Sequence, residues 1–352
     1  MTPSERILRS QELLGVVCSF QGGVFEDMLP LTTLRIPPPP PLDETVDVSK
    51  LHHAVLAPWI QAHGFPRLEV MIVCLPRLRD ILVTHAVLQG DVTLASFLHT
   101  QGLLLPSSYP LLHIAVHDGH VSMVRFLESI AYDGDTLQVL DLAADAGHVP
   151  MVAYLHDRGY PCSEDAMDNA AAAGHLAVIE FLHVHRTEGC TEFAMDAAAE
   201  YGHLHVVQWL HGHRTEGCSP DAMNYAARNG HLEVVQWLHV HRTEGCSSRA
   251  MDLAAACGHL DIVQWLHVHR TEGCSSAAMD GAAIHGHMEI VQFLHDHRNE
   301  GCTGKAMYWA LKEGQEEMAQ WLLAHRPERW TDHDVAAFEK RREFVERIVS
   351  FS

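Results

Sequence analysis

Residues 239–246 read His-Val-His-Arg-Thr-Glu-Gly-Cys, and nearly the same string starts at His183, His211 and His267. Imidazoles and thiols at such spacing could ligate zinc, and a cysteine beside a histidine could be a nucleophile. The spacing argues against both. A structural zinc needs four converging donors, whereas each copy offers one cysteine with no second cysteine two to four residues away. His239 and His241 are two apart, so on a helix they point to different sides. Each string closes a helix, where positive charge suits the carbonyl end of the dipole. We therefore expect helix-end structure, no metal and no cofactor, with a His/Cys metal-binding array as an alternative.

Six of the nine cysteines form one ladder, Cys162, Cys190, Cys218, Cys246, Cys274 and Cys302, each 28 residues from the next. Packed helices lie about 10 Å apart and a disulfide needs Cα atoms within about 7 Å, so stacked units would leave these thiols reduced. A second ladder, Asp168, Asp196, Asp252 and Asp280 with Asn224 interrupting, could be an acidic strip or could hydrogen-bond within the scaffold. Nothing places two of its members in a shared cleft for acid–base work. No nucleophile elbow, phosphate loop or dinucleotide fingerprint occurs, so no catalytic residue and no enzymatic activity are expected.

What positions these residues is a repeat. Gly119, Gly147, Gly174, Gly202, Gly230, Gly258 and Gly286 each precede a histidine, and Gly90 and Gly314 hold the same place before Asp91 and Gln315. The step is 28 residues, with single steps of 29 and 27 early on, giving nine units over residues 79–330. A fixed period of this length signals a solenoid. In the unit after Cys218, Ser219 is a good N-cap and Pro220 suits the first helical position. Met223, Ala226 and Ala227 form one face of a short helix ending at Gly230. A second helix follows, with Leu232, Val235, Trp237 and Leu238 on a broad apolar face. About five residues link one unit to the next, which leaves little room for a β-hairpin.

The stretches PLLHIAVHDGHVSMVRFL (Pro110–Leu127) and MDLAAACGHLDIVQWL (Met251–Leu266) resemble the ankyrin-repeat pattern of Leu-His-x-Ala, Gly-His, Val-Val and Leu-Leu. The resemblance covers about 250 residues. It departs in length, since about five residues of the usual 33 are missing from the finger loop, and in its opening, where Ala-Met-Asp replaces Thr-Pro-Leu-His. It implies an all-α fold: an α-solenoid of stacked helix-turn-helix ankyrin-like repeats with little or no β-hairpin finger. It also implies that the histidine of each Gly-His pair bonds between adjacent units; a pH-sensing row is the other reading of those histidines.

Compared with one another, the units hold Met, Ala-Ala, Gly, an aromatic and Leu nearly fixed and differ on the first helix. The differing positions are spaced i, i+4, i+7 and lie opposite the Met/Ala face. In a curved stack that face lines the groove where such proteins bind. The expected partner-binding residues are Asp165, Asn169, Phe193, Tyr201, Asp221, Tyr225, Arg228, Arg249, Leu253, Ile284, Lys305, Trp309 and Lys312. The function expected is that of a protein–protein interaction scaffold, and the partner another protein.

The chain has 352 residues, with 24 Lys and Arg against 45 Asp and Glu, so the formal net charge of -21 speaks against nucleic acid and anionic membranes. No apolar run reaches a membrane span, and the start MTPSERILRSQELLG lacks a secretion signal. A monomer in the cytoplasm, or the nucleus, is expected. Residues 1–36 form an N-terminal segment, 37–45 a proline-rich spacer, 46–78 a cap or degenerate repeat, 79–330 the nine repeats and 331–352 a capping helix. Arg35, Pro38 and Pro41 have the spacing of an SH3 ligand. SQELLGVVCSF with MLPL resembles the start of an F-box, so an adaptor recruiting a ubiquitin ligase or an SH3 protein through residues 1–45 is a further alternative.

Overall fold

Glycine sets where the helices stop. In the computed structural model, which describes residues 25–35, 45–105, 109–134, 136–326 and Ala336, the glycine after each first helix lies in the left-handed region, for example Gly202 at φ +78° and Gly230 at φ +84°. A side chain is strained in that conformation, so the chain turns there and the second helix starts two residues later. Among the described residues every regular element is helical and no strand forms. The segments between units, such as residues 214–220, carry no hairpin. Residues 1–24 and 36–44, with the F-box-like stretch SQELLGVVCSF and all of the proline-rich spacer but Thr45, and the proposed capping helix apart from Ala336 lie outside the described residues.

The chain forms two compact units, Met1–Cys162 and Ser163–Ser352. In the first, a 3₁₀ segment, Glu26–Thr33, leads to helices Thr45–His63 and Phe65–Cys74. Arg67 grips the Asp27 carboxylate with two hydrogen bonds of 2.9 and 3.1 Å, and the Trp59 indole donates to the Asp27 carbonyl at 2.7 Å. That guanidinium, against the opposing pull of burial, holds the Asp27 carboxyl below its usual range. Three helix pairs follow: Leu78–Leu88 with Val92–Thr100, Leu111–His117 with Val121–Ser129, and Val139–Asp145 with Val149–Asp157.

The second unit holds six pairs of near-identical build: Asp165–Ala172 with Leu176–His185, Glu192–Glu200 with Leu204–His213, Asp221–Arg228 with Leu232–His241, Ser248–Ala256 with Leu260–His269, Ser276–Ile284 with Met288–His297, and Gly304–Lys312 with Glu316–His325. The predicted caps form. The hydroxyls of Thr191, Ser247, Ser275 and Thr303 each accept from the backbone N–H two residues on, worth about 1 kcal/mol apiece. The helix after Ser219 begins one residue later than expected, at Asp221, with Pro220 as its flanking residue, yet the Ser219 hydroxyl still accepts from Asp221 N at 3.1 Å.

First helices bury alanine and methionine, as in Ala222, Met223, Ala226 and Ala227. These small side chains let neighbouring first helices approach closely; a Cβ added at Gly281 would sit 2.7 Å from the Ala256 Cβ. Second helices bury larger residues, and here the expected apolar face shifts. Val234, Val235 and Leu238 are buried, whereas Leu232 and Trp237 are only half-buried. Trp237 is held at the rim because its ring stacks on His241 one turn later, 4.3 Å away, rather than turning into the core. Each fully buried valine or leucine contributes about 1.5–3 kcal/mol.

Candidate partner-binding face

The histidine-rich string packs partly on its own unit and partly on the next. The second histidine of each pair, His213, His241 or His269, donates its Nδ1 proton to the carbonyl of the tryptophan four residues earlier at 2.8–2.9 Å and lies flat on that ring. The first histidine meets the tryptophan of the following unit edge-on: His211 to Trp237 at 5.2 Å, His239 to Trp265 at 5.1 Å. The arginine closes its helix with its backbone, Arg242 N–H donating to the Leu238 carbonyl at 2.9 Å, and not with its charge, as the dipole expectation had it. Arg242 is extended, at φ -122° and ψ 150°, and its guanidinium leaves the helix end. One side pairs with Glu244 two residues on; another N–H donates to His211 Nδ1 of the preceding unit at 3.2 Å. Arg214 with His183 and Arg270 with His239 repeat the arrangement at 3.5 and 3.3 Å. Planar guanidinium geometry permits this fork, so the motif is a staple between units.

The thiols behind these staples are poor nucleophiles. Burial pushes Cys190, Cys218 and Cys274 up to about 11, and Cys246 upward too, against the pull of the neighbouring arginines. They carry no disulfide. Among the described residues no three His, Cys, Asp or Glu side chains gather as a metal site would require.

The aspartate ladder also joins units. Asp168, Asp196, Asp252 and Asp280 each accept the backbone N–H and the hydroxyl of the next unit's capping residue, at 2.5–2.9 Å. Asn224 does the same for Ser247 through its single carbonyl oxygen, at 3.0 and 3.3 Å. Burial pushes Asp196 up to about 6 and raises Asp168 as well, the hydrogen bonds from the caps only partly offsetting it. The Gly-His histidines complete the seam. His203 packs on Gly174, where a Cβ would come within 2.7 Å of Nδ1, and the Ala172 carbonyl accepts from it. In the first unit His120 and His148 donate to the Leu88 and His117 carbonyls at 2.9 Å.

What remains unit-specific is the outward face of the first helices. Two residues past each cap stand Asp165, Phe193, Asp221, Arg249, Ala277 and Lys305; six past it, Asn169, Ala197 (itself buried), Tyr225, Leu253, Gly281 and Trp309; nine past it, Ala172, Glu200, Arg228, Ala256, Ile284 and Lys312. Of the expected partner-binding residues, Asp165, Phe193, Tyr201, Arg228, Arg249, Lys305 and Lys312 are exposed, and Asn169, Asp221, Tyr225, Leu253, Ile284 and Trp309 are half-buried. The rows make side-to-side contacts. Arg249 bridges to Asp221 at 3.3 Å and to the Tyr225 hydroxyl at 3.4 Å, with its guanidinium 5.5 Å from the Tyr225 ring centre. Asn229 donates to the Glu200 carbonyl at 2.8 Å. Lys312 Nζ lies 4.1 Å from the Trp309 ring centre. Tyr308, 57% exposed beside Trp309, replaces the ladder aspartate of the last unit and was not anticipated. An aromatic at a position elsewhere polar was the signal for it. No helix among the described residues is long and apolar enough to cross a membrane.

Family models described as ankyrin repeats match the chain. A three-copy model matches residues 166–252, 194–280 and 251–334, and a many-copy model residues 140–183, together spanning more than half of the sequence. No curated protein matches. Among solved structures, the crystal structure of the human ASB11 ankyrin repeat domain is similar to 54% of this chain and 97% of its own, at 21% identity and a TM-score of 0.43.

Proposed function

Because the chain belongs to the ankyrin-repeat family, we propose that it is a non-catalytic scaffold that binds another protein along the first-helix face of residues 163–314. Ankyrin repeats typically serve protein–protein interaction. The observation carrying this reading is the division of labour within each unit. Ladder, staple and alanine positions are spent on the seam and scarcely vary, while three outward rows change from unit to unit. A layer of helices spaced by alanine is narrower than one spaced by leucine, tryptophan and histidine. Such a stack bends toward its first helices, and a concave surface gives a partner more contact than a flat one.

Aromatic anchors dominate interfaces of this kind. Tyr225 and Trp309 are half-buried, held by cation contacts with Arg249 and Lys312, and so present rigid rings at little further entropy cost. Replacing both with alanine is expected to weaken partner capture by tenfold or more and to leave the far-ultraviolet helical signal unchanged. Proximity labelling of the wild type against the double variant reads this out. Proteins enriched by the wild type that persist on the variant would overturn the assignment of this face.

A further inference from the structure

The outward face of the first helices is charge-polarised along the stack. The first two helices and their caps carry Glu164, Asp165, Glu192 and Glu200 and not one lysine or arginine. At the centre Asp221 and Arg249 pair with each other. The last helix carries Lys305 and Lys312, with Glu313 the one opposing charge at the far end, while Arg228 offsets Asp221 on the third helix. The ladder aspartates do not blur this pattern, because they are turned into the seam on the caps they accept from. Exposed aromatics stand at both ends: Phe193 at 54% and Tyr201 at 58% in the acidic half, Tyr308 at 57% beside Trp309 in the basic half.

From this we infer that the face is built for one extended partner segment with a basic cluster at one end and an acidic cluster at the other. Its basic end lies over residues 164–200 and its acidic end over residues 305–312. This rests on the first-helix face being the binding surface, and adds the chemistry of the occupant. The dimensions favour a single strand of chain. Each first helix spans eight or nine residues, so the strip is about 12 Å wide at 1.5 Å per residue. Four interhelical steps separate the Glu192 helix from the Lys305 helix, about 35–40 Å at the usual packing distance. An extended chain crosses that in about a dozen residues. The two ends lie several screening lengths apart at physiological salt, so each selects its own counter-charge. A segment laid down the wrong way sets like charges together at both ends, which fixes its direction on the stack.

The test is selection of random 20-residue peptides displayed on phage against the full chain, followed by fluorescence polarisation with the enriched peptides. Enriched sequences are expected to carry Lys/Arg and Asp/Glu clusters at opposite ends, about ten residues apart. Reversing the acidic end with Glu164→Lys and Glu192→Lys, or the basic end with Lys305→Glu and Lys312→Glu, should weaken binding at least tenfold. Reversing the matching end of the peptide should restore it. Peptides that lose binding to the Tyr225→Ala, Trp309→Ala variant but show no charge polarity would overturn this inference and leave the binding face standing. Peptides indifferent to every one of these substitutions would overturn both.

Discussion

Asp196 offers the sharpest check on how the units are joined. Its carboxylate accepts the Ser219 N–H at 2.8 Å and the Ser219 hydroxyl at 2.5 Å, while burial pushes it up to about 6. An unfolded aspartate titrates near 3.8, so between those values the folded chain holds a proton that the unfolded chain has released. Stability is therefore fully present below the unfolded value and is lost as pH rises through about 6. A displacement of about two units corresponds to roughly 3 kcal/mol, and partial exposure of the side chain reduces that to about 1–2 kcal/mol. Asn224 already performs the same capping without charge. Asp196→Asn should thus be more stable than the wild type by about 1 kcal/mol at pH 8 and lose that advantage by pH 4. Asp196→Ala, which leaves a backbone N–H and a hydroxyl without their acceptor, should cost about 2–3 kcal/mol at pH 4 and about 1 kcal/mol less at pH 8, where the wild type has lost its own pH-dependent share. Urea denaturation followed by circular dichroism at pH 4, 6 and 8 measures all three proteins. A wild type more stable than Asp196→Asn at pH 8, or a difference that ignores pH, would refute the reasoning.

Two further substitutions probe other parts of the scaffold. Arg242→Lys keeps the charge but cannot fork between Glu244 and His211, so it should lower the melting temperature by about 2–4 °C, with Arg242→Ala roughly twice as costly. A lysine variant that melts with the wild type would show that the staple adds nothing beyond its charge. In the first unit, burial, aided by His53 and His52, pushes His85 down to about 4. A histidine depressed in the fold stabilises only above its unfolded value near 6.5, and acidification toward pH 4 should cost about 2–3 kcal/mol there. His85→Leu should remove most of that loss, visible as greater hydrogen-exchange protection of residues 78–88 relative to the wild type at pH 4.5.

The sequence made plain whatever is local to a unit. Caps such as Thr191, stops such as Gly230 and the Met223/Ala226/Ala227 stripe follow from propensity and period alone, and each lies where those rules put it. Contacts that cross a seam were less legible. Arg242 looked like a helix-end charge because its real partner, His211, is 31 residues earlier and only stacking brings them together. Val234 was missed although Val234, Val235 and Leu238 share the i, i+1, i+4 spacing of one helix face, because Trp237, which stays at the rim on His241, was counted into that face in its place. The outward rows could be read as positions, since variation among units marks them. What lies on them has no signature, because recognition depends on a second molecule whose chemistry this chain records only in the complement.

Each ladder bond spans 23 residues and each arginine–histidine bond 31, so every seam is specified by a step of 28 and by nothing further along. Excising one 28-residue module from the middle of the second unit, or copying one in, would bring equivalent partners back into register at the new junction. Length in this molecule is thus a quantity that can drift by whole modules while the joinery is conserved. Any such change would shorten or lengthen the span between the acidic and basic ends of the outward face, and so alter the reach of the ligand it suits.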